Sequence, residues 1–131
     1  MAIGHGVETI RLVSEEAGWL GSYATALRGT SLGQTSREVI IEDSRHIADR
    51  ACLPVEDLRW GASRVRTGAV MGAVQSGKTA SMIGVLARSL DRGVNVAVVL
   101  AGTRTALWRQ TFERIPAQLD SSPNPLRRRV F

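Results

Sequence analysis

The stretch VRTGAVMGAVQSGKTASMIGVLARSLDRGVNVAVVL, from Val65 to Leu100, decides the expected fold. Val65 to Met71 is rich in β-branched and small residues and predicts a short strand running into a glycine loop. Lys78 to Leu90 follows with Met82, Ile83, Leu86 and Leu90 at helical spacing, and Asp91-Arg92-Gly93 supplies a stop with glycine at the C′ position. Val94 to Leu100 is then almost continuously apolar, the pattern of a parallel strand covered on both faces. A further helix is predicted from Thr105 to Ile115, stopped by Pro116. The order strand, loop, helix, strand, helix predicts an α/β fold with a right-handed βαβ crossover.

Inside that stretch, Gly72, Gly77, Lys78 and Thr79 satisfy the P-loop (Walker A) pattern G-x-x-x-x-G-K-[ST]. The glycines permit a tight backbone turn. Amides from Val74 to Thr79 would face inward as an anion nest at the head of the helix, where the peptide dipoles favour negative charge. Lys78 is placed to reach the β- and γ-phosphates, and the Thr79 hydroxyl to hold Mg²⁺. The expected cofactors are therefore ATP and Mg²⁺, bound by Gly72, Ala73, Val74, Gln75, Ser76, Gly77, Lys78, Thr79 and Ala80, with Lys78 and Thr79 as the chemically active pair. A chance match in a chain with 13 glycines is the bland alternative. Against it stands Lys78 as the sole lysine among 17 basic residues, at a position that suits a compact ammonium better than a planar guanidinium.

Hydrolysis calls for an acidic residue at the end of a neighbouring strand to hold the metal. No hydrophobic run after the loop ends in Asp or Glu, and Glu42 and Asp43 upstream lie in a segment whose spacing continues as a helix. A chain of this kind is expected to bind nucleotide without hydrolysing it alone.

Upstream, Val7, Ile10, Val13, Ala17, Leu20 and Ala24 predict one amphipathic helix ending near Gly29. Ser36 is a candidate cap for a second, with Val39, Ile40, Ile47 and Ala51 on its apolar side and Pro54 beyond its end. The expected organisation is a helical segment over 1–60, the nucleotide-binding unit over 61–120, and a loose basic tail over 121–131. The 131 residues, 44% hydrophobic and 22% charged, fit an ordinary globular chain, with no run long and apolar enough for a membrane span and a cytoplasmic location expected. Cys52 is the only cysteine, so no internal disulfide forms, and it reads as a buried, inert thiol. His5 and His46 lack ligand-spaced partners and carry no metal role.

The charge is uneven. Residues 1–60 hold nine acids against six bases, whereas residues 61–131 hold eleven bases against three acids. A basic half beside a nucleotide site is consistent with a nucleic-acid partner, although arginines also simply solvate helix faces.

From Val70 to Ile115 the sequence closely resembles the opening of the Z-one (Z1) domain family. The resemblance is carried by VQSGKT at Val74 to Thr79, the D-x-G turn at Asp91 to Gly93, VVLAGT at Val98 to Thr103, and L-W-R-Q-T-x-x-R from Leu107 to Arg114. Members are large bacterial proteins described as endonucleases, with an ATPase core akin to superfamily-two helicases. The resemblance implies an incomplete RecA-like P-loop NTPase core, a βαβα unit preceded by two helices. It also implies DNA as partner, contacted by Thr103 and Arg104, for which helix capping and a solvated arginine are the plain alternatives. Members run to several hundred residues, so the chain is expected to be a front portion acting with a missing C-terminal part or with other subunits of a restriction or repair system. Two other readings remain: a small P-loop module such as a phosphotransferase or regulatory switch, and a truncated remnant without function.

Overall fold

The computed structural model describes residues 18–53, 56–62, 64–71, 77–100 and 105–119. Four helices run through them: α1 (Trp19–Arg28), α2 (Gln34–Ala51), α3 (Lys78–Asp91) and α4 (Thr105–Leu119). Helix α3 packs along α2 and against α1, and α4 closes over α1 and α3. Trp19, Leu20, Tyr23 and Leu27 of α1, Ile40 of α2, Ile83 and Ala87 of α3 and Leu119 of α4 form one buried cluster.

The α/β expectation is corrected. Among the described residues there is no strand, and both segments expected to form the sheet, Val65 to Met71 and Val94 to Leu100, carry no regular structure. Most of their side chains stand in solvent, with Met71 94%, Val98 79% and Leu100 92% exposed, while Val94 and Val99 are half-buried. A helix closes its hydrogen bonds within its own chain segment, but a strand exists only through a neighbour, and a parallel apolar strand also needs cover on both faces. Neither condition is met here. The RecA-like core, the P-loop fold and the helicase-like architecture all require that sheet, and they fall with it.

The helices match the expectation in kind and differ in detail. Helix α1 ends as expected at Gly29, whose N–H donates to the Ala26 carbonyl at 3.1 Å. Its buried face is Trp19, Leu20, Tyr23 and Leu27, while Ala24 is only half-buried; residues 1–17, with the earlier half of the expected stripe, lie outside the described residues. Helix α2 begins at Gln34 after Gly33, so Ser36 falls inside its first turn instead of capping it. The inward stripe of α2 is Ile40, Ser44 and Ala48, each four residues from the next, while Val39 and Ala51 are exposed. Glu42 and Asp43 are exposed on this helix, as their spacing indicated.

Helix α3 closes on a Schellman motif. Gly93 at φ +87° donates to the Leu90 carbonyl and Val94 donates to that of Ser89, both at 3.1 Å, so the glycine sits where a left-handed residue is required. Pro116 does not stop α4, which continues to Leu119. Proline forfeits one bond inside a helix. Half-buried Ile115 and fully packed Leu119 lie one turn apart on the core side, and their burial offsets that loss.

Two polar clamps tie α3 to α2. The Arg88 guanidinium donates to both Asp49 oxygens, at 2.9 and 3.1 Å, and Arg92 donates to the Cys52 carbonyl at the end of α2. These bonds hold the Asp49 carboxyl below its usual range, chiefly through the Arg88 hydrogen bond and against a smaller opposing effect of burial. Cys52 itself is half-buried instead of fully enclosed, with its thiol 3.4 Å from the Ser89 hydroxyl.

At the far end of α3, Asp91 caps α1. The Trp19 and Leu20 N–H groups donate to its two carboxylate oxygens at 2.7 and 3.0 Å. Gly18 occupies the cap position of α1 and has no side chain to do this, and a Cβ built there would lie 2.7 Å from Asp91 Oδ1.

Candidate functional site

The expected phosphate-binding residues divide in two. Gly77, Lys78, Thr79 and Ala80 are described, whereas Gly72, Ala73, Val74, Gln75 and Ser76 lie outside the described residues, as do Thr103 and Arg104.

Gly77 adopts the left-handed conformation at φ +78°, which glycine enters without the Cβ penalty, and helix α3 starts at the next residue. The Gly77 carbonyl accepts the first intrahelical bond, from Ser81 N–H at 3.1 Å. Helix geometry provides no internal acceptor for the leading N–H groups, and the helix dipole places partial positive charge there. Lys78 is exposed at this end, and Thr79 and Ala80 are half-buried. Lysine at the first helical position, with a hydroxyl beside it and a left-handed glycine before it, is an arrangement suited to an anion bearing several oxygens.

The first turn is fixed from two sides by residues that the sequence did not single out. The Tyr23 hydroxyl of α1 donates to the Ala80 carbonyl at 2.7 Å. Burial pushes the Tyr23 phenol far above its ordinary range, outweighing the opposing positive charge of Arg114, so the hydroxyl keeps its proton throughout the physiological range. From α2, the fully buried Ser44 donates at 2.6 Å to Ile40 carbonyl in its own helix, and its oxygen stands 3.4 Å from the Ser81 carbonyl. Gly84, one turn further along α3, allows this approach, since a Cβ there would fall on the Ser44 hydroxyl and 3.2 Å from the Tyr23 ring. One signal for Ser44 was legible: a serine lies midway between Ile40 and Ala48 on what becomes the inward stripe of α2.

A separate open cleft of about 590 Å³ lies between α1 and α2, where Arg28, Arg37 and Arg45 alternate with Glu38 and Glu42. Lys78 and Thr79 do not line it. Among the described residues no group of three or more His, Cys, Asp or Glu side chains could hold a metal ion. Among the described residues no helix is long and apolar enough to cross a membrane.

No protein-family model, no curated protein and no solved structure matches this chain.

Proposed function

We propose that the chain binds a nucleoside triphosphate with Mg²⁺ at the stretch Gly72 to Ala80, at the head of α3. The observation that carries this reading is the junction at Gly77: a left-handed glycine leads directly into a helix whose first two residues are Lys78 and Thr79. Lys78 supplies the charge for the β- and γ-phosphates, Thr79 a hydroxyl for the metal, and the helix head its amides. The proposal is one of binding, and no hydrolytic step is assigned to these residues. The resemblance to Z-one proteins and the basic second half of the chain support DNA as a partner, through Thr103 and Arg104.

The test is calorimetric titration of the chain with ATP in the presence and absence of Mg²⁺, alongside Lys78→Ala and Thr79→Ala. Hydrogen bonds to a charged group contribute about 1.5–3 kcal/mol, so Lys78→Ala is expected to weaken binding by roughly 10- to 100-fold. Thr79→Ala should reduce the difference that magnesium makes. Equal affinity of Lys78→Ala and the parent chain, or no heat from a folded sample at millimolar MgATP, refutes the reading. Titration with single- and double-stranded DNA at two salt concentrations tests the partner, whose affinity should fall as salt rises.

A further inference from the structure

We infer that Tyr23 and Ser44 are positioning residues for the phosphate group, holding the first turn of α3 by its carbonyls so that the leading amides keep one direction. The inference rests on the nucleotide-binding reading of that helix head and adds to it the residues that orient the site. Helices α1 and α2 supply this hold.

Tyr23 belongs to the buried cluster and adds to its packing a directed polar bond. Tyr23 is fully buried, and its hydroxyl is aimed at the carbonyl of Ala80, a residue whose amide belongs to the helix head. Ser44 reaches the next carbonyl along, that of Ser81. Tyr23 gives its proton to Ala80 alone, whereas Ser44 donates chiefly to Ile40 and only a longer branch at 3.4 Å reaches Ser81, so the first turn of α3 is held mainly by Tyr23 and supported by Ser44. The side chain of Ile40 also stands close to Gly77, 3.9 Å from where a Cβ would lie. Gly84 lets all this happen, because any side chain there would displace Ser44 and press on Tyr23.

A phosphate bound by helix amides depends steeply on their alignment, since hydrogen bonds weaken as donor and acceptor turn out of line. A nucleoside without phosphates makes no use of that alignment. Loss of the Tyr23 hydroxyl should therefore act on the phosphates of the ligand and leave base and ribose contacts unchanged. The coupling is reciprocal: a ligand that holds the helix head in one orientation also strengthens the seating of α1 and α2 upon it.

The experiment compares the parent chain, Tyr23→Phe, Ser44→Ala and Lys78→Ala by calorimetry against MgATP, AMP and adenosine, with circular dichroism to confirm equal helix content. Removing one neutral hydrogen bond corresponds to about a 5-fold change, so Tyr23→Phe should bind MgATP roughly 5-fold more weakly, with adenosine, which has no phosphate, altered much less and AMP in between. Ser44→Ala, which creates no new contact with Gly84, should move the same way by a smaller factor. In ¹⁵N spectra the MgATP-induced shifts of the Lys78, Thr79 and Ala80 amides should shrink in both variants. An equal loss for all three ligands marks a general structural defect and overturns the inference, as does unchanged MgATP affinity in folded Tyr23→Phe. If the parent chain and Lys78→Ala bind MgATP alike, the nucleotide reading itself fails and takes this inference with it. If Lys78→Ala loses affinity and Tyr23→Phe does not, only the positioning role is refuted.

Discussion

The bond between Asp91 and the head of α1 provides the sharpest test of how these helices hold together. Asp91 lies at the last residue of α3, and it accepts the first two N–H groups of a helix some 72 positions earlier in the chain. Asp91→Ala removes two charge-assisted bonds and a carboxylate placed favourably at a helix N-terminus. Loss of a capping side chain costs about 0.5–2 kcal/mol, and an unsatisfied buried donor about 1–3 kcal/mol. Both amides are only partly buried and Asp91 is exposed, so water replaces some of the loss and about 2 kcal/mol is expected. For a chain of this size that corresponds to a fall of roughly 8 °C in Tm. Asp91→Asn keeps one carbonyl oxygen as acceptor and should cost about half as much.

Guanidinium denaturation followed by far-ultraviolet circular dichroism measures the change, and the fluorescence of Trp19 reports the same junction in a chain with Trp60 and Trp108 replaced by Phe. The midpoint should fall with the slope unchanged. Gly18 supplies an internal control. Its backbone is extended at φ −85° and accommodates alanine, so the harm expected from Gly18→Ala comes from the Asp91 carboxylate 2.7 Å from the new Cβ. In the Asp91→Ala background that obstacle is gone and Gly18→Ala should become neutral or stabilising. A double-mutant cycle should then show coupling of at least about 1 kcal/mol. Additive effects, or an Asp91→Ala chain within about 0.3 kcal/mol of the parent, refute the inter-helix cap.

Two further outcomes follow from the α2–α3 contact. Gly84→Ala should destabilise by about 1–3 kcal/mol through overpacking against Ser44 and Tyr23, and Ser44→Ala should recover part of that cost by removing the nearest atom; thermal unfolding of the two single variants and the double variant measures both. The Asp49 carboxyl is held below its usual range by Arg88, so its contribution is full above the unfolded value near 3.9 and is lost as the pH falls through the lower folded value. Asp49→Asn should accordingly cost about 1 kcal/mol at pH 6, since the carboxylate is 40% exposed, and the gap to the parent chain should close as the solution is acidified below about pH 4. A gap that persists unchanged at low pH refutes the assignment.

The legible and illegible parts of this chain separate by the range of the interactions that create them. Helices α2 and α3 could be read because their spacing, their polar faces and their glycine punctuation are local, and Gly93 shows this best: one residue type marks the one position with φ +87° at the end of α3. The two apolar segments could not be read correctly by the same means. The composition of Val94 to Leu100 is that of a covered strand, yet β propensity describes how side chains fit a pleated surface and provides neither the pairing partner nor the covering layer. The contacts made by Tyr23, Ser44 and Asp91 were hidden for the same reason, because each acts on a peptide group 37 or more positions away, although Asp91 itself was marked by the turn that ends α3. The described part of the candidate site joins both kinds of information. Local pattern picks out Gly77, Lys78 and Thr79 and starts a helix there, while packing against α1 and α2, with the Tyr23 and Ser44 hydroxyls at its first turn, sets the direction of that helix. On the proposed reading, the site's own residues contact the phosphates and remote ones align them, so substitutions at Tyr23 and Ser44 should change phosphate affinity without touching the phosphate-pattern residues.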